Sequence, residues 1–160
     1  MSDLLDAVKL PDNQRKTVCE FLLVFSRFEF ALKKARYLHK PRASAIGVDR
    51  KKFADDVNVS LQEKLKTPEQ RERLDPLLNR PPMEQVIDEH GNLKWKKIPP
   101  GSDAKSLLDS AYRVRNNLFH GGKWPPEPAR DEELLRSVLA LIEICLQVHK
   151  DVAEAYFSMT

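Results

Sequence analysis

The stretch "DNQRKTVCEFLLVFSRFEFALKKARYLHK", framed by Pro11 and Pro41, constrains the fold more than any other part of the chain. At about 100° per residue, Val18, Phe21, Leu22, Phe25, Phe28 and Leu32 fall on one face of a helix capped by Asp12 or Asn13 and reaching about Pro41. So long and aromatic a stripe has to be covered by other helices, which predicts a predominantly all-α bundle. Glu29 falls at the edge of the stripe, beside Phe25 and Leu32, where a carboxylate needs a cation or water.

The rest of the chain offers those helices. Residues 49–66, "DRKKFADDVNVSLQEKLK", form a more polar helix capped by Asp49, and "TPEQRERLDPLL" opens a short one with Thr67 as cap and Pro68 at its first position. In "PPMEQVIDEHGNLKWKKIPP", prolines flank two short runs joined at His90-Gly91-Asn92, which predicts a small β-hairpin within about 80–100, with Trp95 laid over the core. Ser102 is expected to cap the helix "DAKSLLDSAYRVRNNLFH", which Gly121-Gly122 stop and Pro125-Pro126 keep from resuming. A last helix runs from about Asp131 to Tyr156 with Leu135, Leu139, Ile142, Leu146 and Ala153 on its apolar side; His149 on that face reads as a core histidine with satisfied hydrogen bonds. Without repeats, the 160 residues suit one domain.

Composition excludes several classes. Cys19 and Cys145 lie far apart within apolar helical patterns, and no Cys-x-x-Cys or Cys/His spacing suits zinc, so both read as reduced core thiols and no metal or cofactor is expected. No apolar run approaches the ~18 residues of a membrane span, and the N-terminus has no basic-then-apolar leader, so a cytoplasmic protein with no membrane partner is expected. Gly-x-Ser-x-Gly is absent, as is any cysteine in a polar setting, which leaves serine and cysteine hydrolase chemistry without a nucleophile. A net charge of +3 decides nothing by itself, but "RKK" at 50–52, "KWKK" at 94–97 and the set Arg113, Arg115 and Lys123 can neutralise phosphates.

"VRNNLFHGGK", from Val114 to Lys123, concentrates the chemistry. Leu107, Ala111, Val114 and Leu118 make one apolar row of its helix, and Leu108, Tyr112 and Phe119 a second, with Arg115 inside the second row. A helix with two apolar rows is buried on two sides, one of them open to a partner chain, and a guanidinium there needs an anion such as Glu29 or a phosphate. His120 lies five residues on, about 140° around an ideal helix, so either the helix unwinds at the glycines or two copies pair about a two-fold axis. Asn116 stands one turn before His120 and can orient its ring. This set suits metal-independent RNA cleavage: an imidazole moves the proton of a 2′-hydroxyl or a leaving 5′-oxygen, and an arginine fork holds the charge of the phosphorane-like transition state. The same spacing also allows a buried Arg115–Glu29 ion pair with His120 as a helix cap.

"RNNLFH" resembles the Arg-x4-6-His motif of HEPN domains (higher eukaryotes and prokaryotes nucleotide-binding), with Asn116 as the polar residue that family favours after the arginine. The motif ends the penultimate long helix, and "FSRFEFALKKARYL" is similar to the first helix of a HEPN group from bacterial and plasmid-borne defence or toxin loci. The resemblance covers the first helix and the last two, with 41–100 as an insertion. It implies a HEPN-like helical bundle that dimerises through the motif helices and cuts RNA without metal, leaving a cyclic phosphate and a 5′-hydroxyl. Arg115 and His120 would be the catalytic pair and Asn116 the polar helper, joined by Glu29 from its place beside the stripe, with Arg113 and Lys123 binding RNA. It also leaves room for an antitoxin or regulatory protein. Where the toxins paired with small nucleotidyltransferases carry a tyrosine two residues after the histidine, this chain has Gly122, so the acceptor for adenylylation is missing. The alternatives are a non-catalytic RNA- or nucleotide-binding module, or a dimerisation module, on the same fold.

Overall fold

A computed structural model describes residues 10–42, 45–119 and 128–158, with the backbone alone at 41, 42, 45, 119 and 128. Its elements are predominantly helical. Helix α1 spans Asp12–Lys34, with Pro11 at the N-cap and Asp12 already inside the first turn, 3.8 Å from Arg15. It stops well short of Pro41. Arg36 takes a left-handed backbone (φ 70°), its amide bonds to the Lys33 carbonyl and the Tyr37 amide reaches back to Leu32, which together close the helix end. The chain released there forms a hairpin that the long helical pattern hid: β1 (Leu38–Arg42) pairs antiparallel with β2 (Ala45–Val48).

Helix α2 (Arg50–Lys64) begins as its sequence predicts, with the Asp49 carboxylate accepting from the Lys52 amide at 3.0 Å. Two short helices follow, α3 (Pro68–Arg73) and α4 (Asp75–Leu78). The predicted hairpin is present as β3 (Glu84–Ile87) and β4 (Leu93–Lys96), in the register Glu84 to Lys96 and Ile87 to Leu93. Asp88 organises its turn by accepting from the His90 and Asn92 amides, and Gly91 supplies the positive φ of 81°. Trp95 is exposed on β4, so it does not lid the core.

Helix α5 spans Ala104–Phe119. Asp103, not Ser102, caps it: the Asp103 carboxylate accepts from the Ser106 amide at 2.9 Å and from its hydroxyl at 2.7 Å, while the Ser102 carbonyl accepts from Gln62. The expected last helix is two, α6 (Pro128–Val148) and α7 (Lys150–Phe157). His149 is extended between them (φ −129°, ψ 99°) and its Nδ1 accepts from the Val152 amide, so the residue read as sitting on one continuous helix is instead the cap of the next.

The core follows from these placements. Thr17, Phe21, Phe25, Phe28, Ala31 and Leu32 line the buried side of α1, whereas Leu22, expected in the stripe, is 40% exposed. Helix α6 keeps a polar stripe through Arg136, Glu143 and Gln147 but is otherwise apolar over its second half, and it packs against each of the other six helices among the described residues. Cys145 is fully buried there, its thiol pushed up to about 12 by desolvation; Cys19 faces outward and is not a core thiol. Among the described residues, no helix is long and apolar enough to cross a membrane.

Candidate functional site

On α5, Asp109, Tyr112, Arg113 and Asn116 recur at i, i+3, i+4 and i+7, so one helix face gathers a carboxylate, a phenol, a guanidinium and an amide. This face is one wall of a cleft of about 430 Å³, completed by Asn117, by Glu84 and Gln85 of β3, and by Arg50 from the first turn of α2. Strand β3 is pinned against the helix by Asn117, whose amide donates to the Met83 carbonyl at 3.0 Å. The cleft therefore joins parts of the chain that only the fold brings together.

Tyr112 forms its floor. The residue is 9% exposed, with Phe25 edge-on to its ring at 5.1 Å and the Arg50 guanidinium over its face at 4.5 Å. Arg50 also stands 3.7 Å from Asp109, which accepts from Lys105 at 2.6 Å. Burial holds the Tyr112 phenol far above its ordinary range; the nearby Glu29 carboxylate adds to this, and Arg50 and Arg115 act against it. Glu29 acts first as a close charge, and the hydroxyl has no other hydrogen-bond partner among the described residues. The phenol stays protonated at any physiological pH.

The predicted residues distribute themselves around this cleft. Asn116 and Arg113 line it, and the Arg113 Nη1 is buried without a hydrogen-bond partner among the described residues. Arg115, half-buried, lies beside the cleft and donates to Asn116 Oδ1 at 3.0 Å. That bond fixes the Asn116 amide so that its NH2 remains to donate elsewhere. Glu29 belongs to α1 and acts on the same phenol as Arg115 without lining the cleft. His120 and Lys123 lie outside the described residues. Helical backbone extends to Phe119, directly before His120.

The two apolar rows of this helix are traced through its described side chains. Both apolar rows are covered within the chain as far as Tyr112: Leu107, Ala111 and Val114 are buried, and so are Leu108 and Tyr112, the latter against Phe25 of α1 and Arg50 of α2. Leu118, further along the first row, is half-buried, and the Phe119 side chain lies outside the described residues. Asp109, Glu84, Gln85 and Asn117 were not singled out by sequence as site residues, and Arg50 was noted only within the basic cluster at 50–52. Asp109 could have been found from its spacing to Arg113 and Asn116; Glu84 and Gln85 carry no such signal, because a hairpin far away in sequence delivers them.

No family model, curated protein or solved structure matches this chain. Its function is therefore argued from its residues.

Proposed function

We propose that the chain is a HEPN-type, metal-independent endoribonuclease, an effector of a toxin or phage-defence locus that works as a homodimer in the cytoplasm. The observation that carries this reading is the Arg115–Asn116 hydrogen bond at the C-terminal end of α5, beside a polar cleft that also holds Arg113. It couples the arginine and the polar residue of the Arg-x4-6-His motif into one unit, immediately before the histidine.

In this mechanism the 2′-hydroxyl of the substrate loses its proton to one imidazole as its oxygen attacks the adjacent phosphorus, and the 5′-oxygen leaves with a proton from a second. The products are a 2′,3′-cyclic phosphate and a 5′-hydroxyl, with no water consumed. A dimer supplies both imidazoles as the two copies of His120. Arg115 provides the planar fork for the extra charge on the equatorial oxygens, and Asn116 holds that fork in place. Arg113 and Lys123 bind the RNA, and the phosphate attraction that Lys123 contributes weakens with salt.

The test is incubation of purified protein with total RNA in EDTA, beside His120→Ala and Arg115→Ala variants shown by circular dichroism to be folded. Cleavage by the parent alone, with cyclic phosphate ends, is the expected outcome, and each variant should lose at least ~100-fold in rate. Binding without cleavage by all three proteins would replace the enzyme with a non-catalytic RNA-binding module. Full activity from a protein that sediments as a monomer would remove the shared site.

A further inference from the structure

Beyond the hold of Asn116 on Arg115, the cleft on α5 has a chemistry that the bond-breaking step does not use. Its charged lining is balanced, Arg50 and Arg113 against Glu84 and Asp109, with three amides beside them. A phosphate subsite needs a surplus of positive charge; a balanced lining rich in amides suits a neutral group with both donors and acceptors. Its volume of about 430 Å³ is sufficient for a small planar ligand.

The walls say more about that ligand. Tyr112 cannot stack with it, because its ring already meets Phe25 and Arg50. Arg50 is the stacking candidate: its guanidinium rests on Tyr112 and 45% of its side chain is exposed. Asp109 is occupied by Arg50 and Lys105, which leaves Glu84 as the carboxylate acceptor, while the Arg113 Nη1 is a buried donor without a partner among the described residues. Asn116 adds an NH2 donor and Asn117, whose NH2 is spent on Met83, adds an acceptor oxygen.

We propose that this cleft binds a guanine base of the RNA substrate. Of the four bases, guanine alone joins a two-acceptor edge, O6 and N7, which a guanidinium reads, to a two-donor edge, N1–H and N2–H2, which a carboxylate reads. Arg113 takes the first edge, Glu84 the second, and Arg50 stacks on the ring. Resting as it does on RNA being the substrate, this assignment adds a sequence preference: cleavage falls at a fixed offset from a guanosine.

The proposal is tested on the full chain by saturation-transfer NMR and equilibrium dialysis with the 5′-monophosphates of guanosine, adenosine, cytidine and uridine, and with ribose 5-phosphate. Guanosine monophosphate should bind ~10-fold or more tightly than the other three, with saturation on the base proton, and ribose 5-phosphate should not compete. Glu84→Gln, a half-buried hairpin position, should erase the preference without lowering the melting temperature; Arg113→Lys should weaken guanine binding as well. Equal binding of the four nucleotides, competition by ribose 5-phosphate, or a preference that survives Glu84→Gln would overturn it. Mapping cleavage sites in EDTA separates the two readings. Cleavage with no guanine preference defeats the base pocket and leaves the nuclease, whereas selective guanine binding without cleavage defeats the nuclease and leaves the pocket.

Discussion

Through its two ring nitrogens His149 ties the end of the bundle together. Nδ1 accepts from the Val152 amide, Nε2 lies 2.6 Å from the Tyr37 hydroxyl, and Tyr37 is 2.8 Å from Asp56 Oδ2. A single proton arrangement satisfies all three contacts: Nε2–H donates to Tyr37, and Tyr37 donates to Asp56. Burial, then the Asp56 carboxylate, holds the Tyr37 phenol well above its ordinary range, so it does not ionise out of this role. Tyr37→Phe would leave the Nε2–H of His149 without its acceptor, and should cost about 1–3 kcal/mol in urea unfolding. Unchanged stability would mean that water replaces the phenol. A satisfied core histidine is what the apolar face of the last helix predicts; that it also ends one helix and caps the next depends on Tyr37, a partner no local pattern reveals.

Caps decide where the helices begin, and of the two carboxylates that accept from the amide three residues on, Asp49 was legible whereas Asp103 was passed over for Ser102. Ser102 and Asp103 look alike as caps, and packing chooses between them: Gly101 approaches Ser106 so closely that a Cβ would come within 2.5 Å of its hydroxyl, and the Ser102 carbonyl is held by Gln62. Its bonds to Ser106 depress the Asp103 carboxyl below its ordinary value of 3.8. A depressed folded-state value stabilises above the unfolded one, and that contribution is lost as pH falls through the lower folded-state value. Asp103→Ala should therefore cost about 1 kcal/mol at neutral pH, by thermal or urea unfolding, with the deficit shrinking below about pH 4. A deficit constant down to pH 2 would assign it to packing. The end of α1 was illegible for the opposite reason: Arg36 adopts a left-handed backbone that no side chain of its type advertises, and the apolar spacing carries on past it.

Across the whole molecule, α6 is the element on which the others converge. Leu141, fully buried on it, should cost about 2–5 kcal/mol when replaced by Ala, whereas Leu23→Ala on exposed α1 surface should stay within about 0.5 kcal/mol, both by urea unfolding. Similar losses at both positions would refute the central place of α6. Half of the cleft could be read along α5, in the recurrence of Asp109, Arg113 and Asn116, because a helix fixes which side chains share a face. The other half comes from Arg50 and β3, whose meeting with α5 is a long-range event. The position of α6 late in the chain also sets an order of events during synthesis. Until Pro128–Val148 has left the ribosome, Phe21, Phe25 and Phe28 have no finished core to enter, although α5 already has α2 and β3 to pack against. The aromatic side of α1 is thus finished by a helix that lies nearly a hundred residues further along the chain.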